Sequence, residues 1–166
     1  MFINLIVANS QNGVIGKDGN MPWNIPQELT RFQQLTNGSI VIMGRRTYES
    51  IGKPLKNRYN FIISQSNLCI KGIYQFSNIE DALKYAKEKL PNYAIFVIGG
   101  ASIYKQFLEQ NLIDRIYQTI IKKDIEGDAV FSFNKENWNI VGDIPVKLLS
   151  YKELIDCSYI TWERKN

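Results

Sequence analysis

A carboxylate set inside an apolar stripe is the first residue in this chain that could do chemistry. From Met21 to Leu35 the sequence reads Met-Pro-Trp-Asn-Ile-Pro-Gln-Glu-Leu-Thr-Arg-Phe-Gln-Gln-Leu, with Ile25, Leu29, Phe32 and Leu35 at helical spacing. Glu28 follows Ile25 by three residues and precedes Phe32 by four, so it points along the stripe rather than away from it. An acid in that position either meets a partner or serves proton chemistry, because uncompensated burial disfavours its charge. Two readings stand: a surface glutamate paired with Arg31 or a lysine, and an acid held in a site. Thr119 sits mid-strand in an otherwise apolar run, where its hydroxyl could bond its own backbone. By residue type alone, Trp23 in a Pro-flanked turn is a packing anchor and Arg58, just before a strand, a solvated cation.

Two further stretches share a design. Met43-Gly44-Arg45-Arg46-Thr47 and Ile98-Gly99-Gly100-Ala101-Ser102 each run from strand through glycine into a helix start. Free N–H groups and partial positive charge at a helix N-terminus suit a phosphate, and glycine lets it approach the backbone. A glycine between strand and helix is also a plain turn, and no GxGxxG fingerprint is present. Two such turns beside the Arg45-Arg46 pair point to a nucleotide. Ser64-Gln65, at the end of another strand, could reach the same ligand.

The chain has no histidine. That removes Ser-His-Asp and Cys-His nucleophile pairs, imidazole bases and most zinc ligand sets, and no metal site is expected. Chemistry must then come from a carboxylate, a hydroxyl, ordered water or a borrowed cofactor. Cys69 and Cys157 form no CxxC pair and read as free, inert thiols of a reducing compartment. Net charge is +4, but the basic residues are dispersed, which argues against a dedicated nucleic-acid face. The 166 residues suit one domain. The apolar runs are too short to span a bilayer, and Phe2–Ala8 lacks the flanks of a signal peptide, so a cytoplasmic protein is expected.

The elements that must position these groups follow from periodicity and turn signals. Strands are expected at Phe2–Ala8, Ser39–Met43, Tyr59–Ile63, Gly72–Phe76, Tyr93–Ile98 and Asp114–Ile121. Asn9–Asn20 reads as a glycine-bearing loop. Helices are expected after Asn24 and Pro26, over Arg45–Ile51 up to Gly52, after a capping box at Ser77-Asn78-Ile79-Glu80, and with Ile103, Tyr104, Phe107 and Leu108 as packing face. Beyond Ile125 no clear helix follows, and runs near Ile140 and at Ser158–Arg164 suggest an antiparallel edge. The alternation predicts a single α/β domain over residues 1–166. Its central sheet would be mostly parallel, with about eight strands, an antiparallel C-terminal edge and about four flanking helices.

These pieces together resemble the dihydrofolate reductase family, of the short single-domain bacterial type, over essentially the whole chain. The carrying motifs are Val14-Ile15-Gly16, Met21-Pro22-Trp23-Asn24 with Glu28 and Phe32, and Val41 to Arg45 with Thr47. Glu49-Ser50-Ile51-Gly52, Pro54-Leu55 with Arg58 and Asn60, Ile98-Gly99-Gly100, Tyr104, Thr119 and Glu126-Gly127-Asp128 complete them.

The resemblance implies an NADPH-dependent reduction of 7,8-dihydrofolate to tetrahydrofolate, with hydride added to C6 and a proton to N5. Glu28 would hold the pterin 2-amino group and N3 and promote protonation, with Trp23 and Met21 nearby and Thr119 bonded to Glu28. Ile6, Val7, Leu29, Phe32, Ser50, Ile51, Leu55, Ile98 and Tyr104 would line the substrate site, and Arg58 would take the tail carboxylate. NADPH would be held by Ala8, Val14, Ile15, Gly16, Lys17, Asp18, Gly19 and Asn20, then by Gly44, Arg45, Arg46, Thr47, Ile63, Ser64 and Gln65. Ile98, Gly99, Gly100, Ala101, Ser102, Ile103 and Tyr104 would complete that site, with Arg45 on the 2'-phosphate and a cis peptide at Gly99-Gly100. The loop from Gly13 to Trp23 would close over the reactants. The resemblance also implies antifolate binding and a monomer. Glu28 departs from the aspartate of many bacterial members, Tyr48 from a common tryptophan, and Ala129 from a common threonine.

Competing hypotheses are another pterin or pyrimidine reductase of the same fold, such as the riboflavin-pathway reductase, and a non-catalytic nucleotide- or RNA-binding protein. The first is disfavoured by Glu28, Phe32 and Arg58 together, and the second rests on the pI near 9.0.

Overall fold

A computed structural model describes residues 1–166. In chain order the elements are β1 (Ile3–Ser10), β2 (Val14–Gly16), α1 (Pro26–Thr36), β3 (Ile40–Gly44), α2 (Arg45–Ile51), β4 (Tyr59–Ile63) and β5 (Ile73–Phe76). They continue with α3 (Ile79–Lys89), β6 (Ile95–Gly99), α4 (Ala101–Glu109), β7 (Arg115–Ile121), β8 (Ala129–Val130), β9 (Trp138–Ser150) and β10 (Glu153–Arg164). Eight strands form one sheet in the order β5-β4-β3-β6-β1-β7-β10-β9. The pairs from β5 through β7 are parallel, and β10 runs antiparallel to β7 and β9. This is the expected sheet with its antiparallel C-terminal edge. No helix is long and apolar enough to cross a membrane.

Both faces of the parallel strands are covered, which is why they read as unbroken apolar runs. Along β3, Ile40 and Ile42 enter one core and Val41 and Met43 the other, all fully buried. The larger core packs beneath α3 and α4 through Ala82, Ala86, Ile103 and Phe107. The smaller core lies beneath α1 and α2 and takes Ile6, Tyr48, Ile62 and Phe96, with Phe32, Leu35 and Ile51 against it. A third cluster joins Trp23 and Ile25 to Ile121, Leu148 and Cys157.

Several local expectations shift. Helix α1 begins at Pro26, whose fixed φ suits the first helical position, and Ile25 rather than Asn24 precedes it without any side-chain cap. The α3 cap is Asn78, whose side chain accepts from the Asp81 N–H at 2.8 Å, so the capping pair lies one residue later than Ser77 and Glu80. Leu29, expected in the apolar stripe, is 54% exposed, whereas Glu28 on the same turn is buried. The helix meets the sheet along its Ile25–Glu28–Phe32 line, which leaves Leu29 facing outward. Both C-terminal strands are longer than their apolar runs, because most of β9 is an edge with exposed side chains.

The Asn9–Asn20 stretch is not all loop. Strand β2 pairs antiparallel with β8, a two-residue strand too short to leave a periodic signal. The Glu126-Gly127-Asp128 string clasps this pair. The Asp128 N–H donates to the Gly16 carbonyl at 3.0 Å, the Asp18 N–H donates to Asp128 Oδ2 at 3.1 Å, and Lys17 and Glu126 approach to 3.9 Å. Gly127 lies so close that a Cβ there would run into Val14 Cγ1 and stand 2.5 Å from the Gly16 carbonyl oxygen, both in β2. Gly127→Ala is therefore expected to destabilise the fold by about 1–3 kcal/mol through overpacking, read as a lower urea midpoint. An unchanged midpoint would show that β2 and β8 separate without cost.

Candidate active site

Glu28 sits in the first turn of α1 and is 8% exposed. Its Oε1 accepts a hydrogen bond from Thr119 Oγ1 at 2.8 Å, and its Oε2 is buried without a partner. Thr119 is fully buried on β7, opposite Ala8 of β1 and Tyr159 of β10. Its hydroxyl bonds Glu28 rather than its own backbone. Arg31 forms no ion pair with Glu28 and instead lies over the Tyr159 ring at 4.0 Å. The surface-pair reading of Glu28 therefore fails. Burial pushes the carboxyl above the usual range, while the Thr119 hydrogen bond and the Arg31 charge pull it part-way back. Trp23 Nε1 is a second buried polar atom without a partner. A buried acceptor and a buried donor are thus left without partners from the chain itself.

The apolar wall beside this acid comes from α1, α2 and the segment before β4. Phe32, Ile51, Leu55 and Ile98 are partly buried against the smaller core that contains Ile6, and Leu29 and Ser50 are exposed at the cleft edge. Val7 points into the opposite core, so its main chain is what this face receives. Arg58 is not free in solvent. Its Nη1 donates to Thr36 Oγ1 at 3.0 Å, its Nε donates to the Lys56 carbonyl at 2.8 Å, and it stands 5.9 Å from the Phe32 ring centroid. Asn60 ties the segment together, accepting from the Leu55 N–H and donating to the Leu55 and Arg58 carbonyls.

The two glycine turns abut. A Cβ on Gly44 would lie 3.2 Å from Ile103 Cγ1 and 4.0 Å from the Gly99 carbonyl oxygen, and one on Gly100 would lie 3.4 Å from Thr47 Oγ1. Neither α2 nor α4 has a side-chain cap, which leaves their first N–H groups for an anion. The Gly99-Gly100 peptide is cis. Arg45 pairs with Glu49 at 3.0 Å on the exposed side of α2, and Arg46 is exposed beside it. Ser64 Oγ donates to the Ser66 carbonyl and Gln65 Nε2 to the Ser77 carbonyl, so both shape the turn after Ile63. Ala101 and Ser102 open α4, and Ser102 Oγ accepts from Gln106. Tyr104 is buried and donates its hydroxyl to the Ile6 carbonyl at 2.8 Å, with burial pushing the phenol up. On β2 and the segment after it, Val14 is buried, Ile15 and Gly16 are half-buried, Lys17, Asp18, Gly19 and Asn20 are exposed, and Met21 is 52% exposed.

A family model described as dihydrofolate reductase matches residues 2–164. The chain belongs to the dihydrofolate reductase family. It is 37% identical over 166 residues to the dihydrofolate reductase of Haemophilus influenzae, covering 99% of this chain and 100% of that one. It is 35% identical over 167 residues to the Bacillus subtilis dihydrofolate reductase, covering 99% and 96%. Its fold is similar to a solved dihydrofolate reductase from Enterococcus faecalis complexed with NADP(H) and RAB-propyl. That match has a TM-score of 0.87 and 28% identity, and it covers 99% and 97% of the two chains.

Within this family frame, three supporting groups escaped sequence reasoning. Thr36 is buried at the end of α1, donates to the Phe32 carbonyl and accepts from Arg58. Nothing in its local pattern marks it, since its partner lies in another segment. Asn60 and Asp128 stood in recognisable strings but carried no visible role until their backbone partners were in place. A raised Glu28 also has a thermodynamic signature. The folded chain keeps that proton to higher pH than the unfolded chain, so stability falls as pH rises between the two values. Relative to the parent, Glu28→Gln is expected to gain in Tm as pH is taken from about 4 to about 8. A difference independent of pH would show that Glu28 is not destabilised by ionisation.

Proposed function

We propose that the protein reduces 7,8-dihydrofolate to 5,6,7,8-tetrahydrofolate with NADPH, as a single cytoplasmic, monomeric reductase unit spanning residues 1–166. The observation that carries this reading is the buried Glu28 carboxylate, with one oxygen held by Thr119 and the other unpaired. A pterin offers two parallel donors, its N3–H and 2-amino group, which match a fixed carboxylate through charge-assisted hydrogen bonds. Thr119 fixes the orientation of Glu28, so the ring would enter at a defined angle. Phe32, Leu29, Ile51, Leu55 and Ile98 would hold the ring system between apolar surfaces, and Arg58, already oriented by Thr36 and Lys56, would meet the tail carboxylate. Antifolates that offer the same donor pair would bind the same acid.

The two abutting glycine turns fit a dinucleotide cofactor, because each brings uncapped helix N–H groups to a surface without side chains. Gly44, Arg45, Arg46 and Thr47 would hold one end of NADPH with Ile63, Ser64 and Gln65, and Gly99, Gly100, Ala101, Ser102, Ile103 and Tyr104 the other. Ala8 and Val14 to Asn20 would lie beside the nicotinamide. When bound, NADPH supplies the hydride added to C6. Glu28, kept above the usual carboxylate range by burial, promotes delivery of the proton to N5 through solvent at the Trp23 edge of the site. Met21, Pro22 and Trp23 form the inner edge of the segment that excludes bulk water.

Absorbance of NADPH followed with dihydrofolate present tests the reading directly, and no substrate-dependent oxidation would end it. Glu28→Gln is expected to cut turnover at neutral pH by roughly 10²-fold or more. Unaltered turnover at saturating substrate would reduce Glu28 to a packing group. Arg58→Ala is expected to weaken dihydrofolate binding by about 2–4 kcal/mol, measured by calorimetry. Equal affinity would remove Arg58 from the substrate site.

A further inference from the structure

Arg31 has no part in the mechanism above, yet it is held in place like a functional group. It lies one turn beyond Glu28 on α1 and makes no ion pair. A surface arginine would extend its head into water. This one folds back, with its guanidinium carbon 4.0 Å from the Tyr159 ring centroid and its Nη1 buried without a hydrogen-bond partner. Tyr159 on β10 is the register partner of Thr119 on β7, and Thr119 bonds Glu28. The four residues therefore close a circuit from helix to sheet edge and back, with a cation at one corner and the site acid at the next.

An arginine near a buried carboxylate, but not in contact with it, acts through the field. It favours the ionised form while leaving the carboxylate oxygens free for a ligand. The other groups facing Glu28 do not compete for this role. Thr119 on β7 is uncharged. On β10, burial and the Glu28 charge push the Cys157 thiol up to about 11 and raise the Tyr159 phenol, so both stay neutral around pH 7. Asp156 and Lys122 bear on Cys157 with opposite sign, and Asp156 is paired with Lys147 on the exposed side. Glu28 itself feels burial first, then the Thr119 hydrogen bond and the Arg31 charge in the opposite sense.

We infer that Arg31, clamped on the Tyr159 ring, is a positioning residue whose charge acts on Glu28 while its turn away from the carboxylate leaves the second oxygen free to accept the pterin donors. This rests on the proposed role of Glu28 as pterin anchor.

Two readouts test it. The first is the ¹³C NMR titration of the Glu28 carboxyl in the free protein, which needs no turnover. The second is kcat and KM for dihydrofolate against pH. Arg31→Gln is expected to move the Glu28 midpoint to higher pH. It should also raise KM roughly threefold or more near pH 6, where fewer carboxylates are ionised, with convergence on the parent near pH 9. Arg31→Lys, which keeps the charge, should restore the midpoint, and Tyr159→Phe, which keeps the ring, should behave as the parent.

A Glu28 midpoint unmoved in Arg31→Gln overturns the inference, as does a KM increase equal at all pH values, the mark of a purely structural role. A lysine variant no better than the glutamine one would overturn it too. A parent protein that oxidises no NADPH with dihydrofolate would refute the functional reading, while the NMR titration would still decide whether Arg31 sets Glu28.

Discussion

The hydrogen bond from Thr119 to Glu28 is the constraint on which the site depends. Thr119 sits at the middle of β7, between β1 and β10, and its position is fixed by ladders on both sides. Glu28 rides on the first helix, which no side-chain cap holds at its start. One short polar contact across 91 residues of sequence thus joins the first turn of a helix to a strand paired on both sides. Burying a carboxylate to make that contact costs stability. The unpaired second oxygen means that the cost is not offset within the chain itself. A ligand with donors of the right spacing would offset it.

The cofactor side follows a different logic. Nothing charged is buried there. Two glycine turns pack against each other and against Ile103 and Thr47, and their lack of side chains is what exposes the helix N–H groups. Arg45 and Arg46 lie exposed beside them, with Arg45 paired to Glu49. Tyr104 links the two halves, since its phenol lies against Gly99 and its hydroxyl holds the Ile6 carbonyl of the central strand. A displacement of α4 would therefore be felt at Ile6 of the central strand, through a buried contact.

The loop that would cover both ligands is restrained more than its composition suggests. Its first half is a strand paired to β8, and its middle is held by the Asp128 carboxylate and the close approach of Gly127. Beyond Asn20 the chain carries an exposed Met21 and then the buried Trp23. Between these anchors lie only the exposed residues Gly19 to Met21 and the half-buried Pro22.

Much of this was legible in the sequence. The parallel strands announced themselves because two-sided burial demands unbroken apolar runs. Helix α2 and strand β4 matched their expected bounds because Gly52 and the flanking polar residues end them locally. The family strings pointed to Glu28, Thr119, Arg58 and the glycine turns as candidates, and the fold brings Thr119 onto Glu28 and the two turns together. Local pattern also misplaced what local pattern does not control: the α3 cap by one residue, Leu29 as part of the packed stripe, and β2 as loop. What the sequence by itself determined was which elements form and which residue types are available to them. The tertiary structure alone decided who meets whom. Periodicity shows which face of a helix is apolar, but not that the neighbouring strand carries a hydroxyl at the height of Glu28, nor that Arg31 turns to the Tyr159 ring instead of the carboxylate. Those contacts join residues far apart in the chain, and only the folded backbone sets their distances.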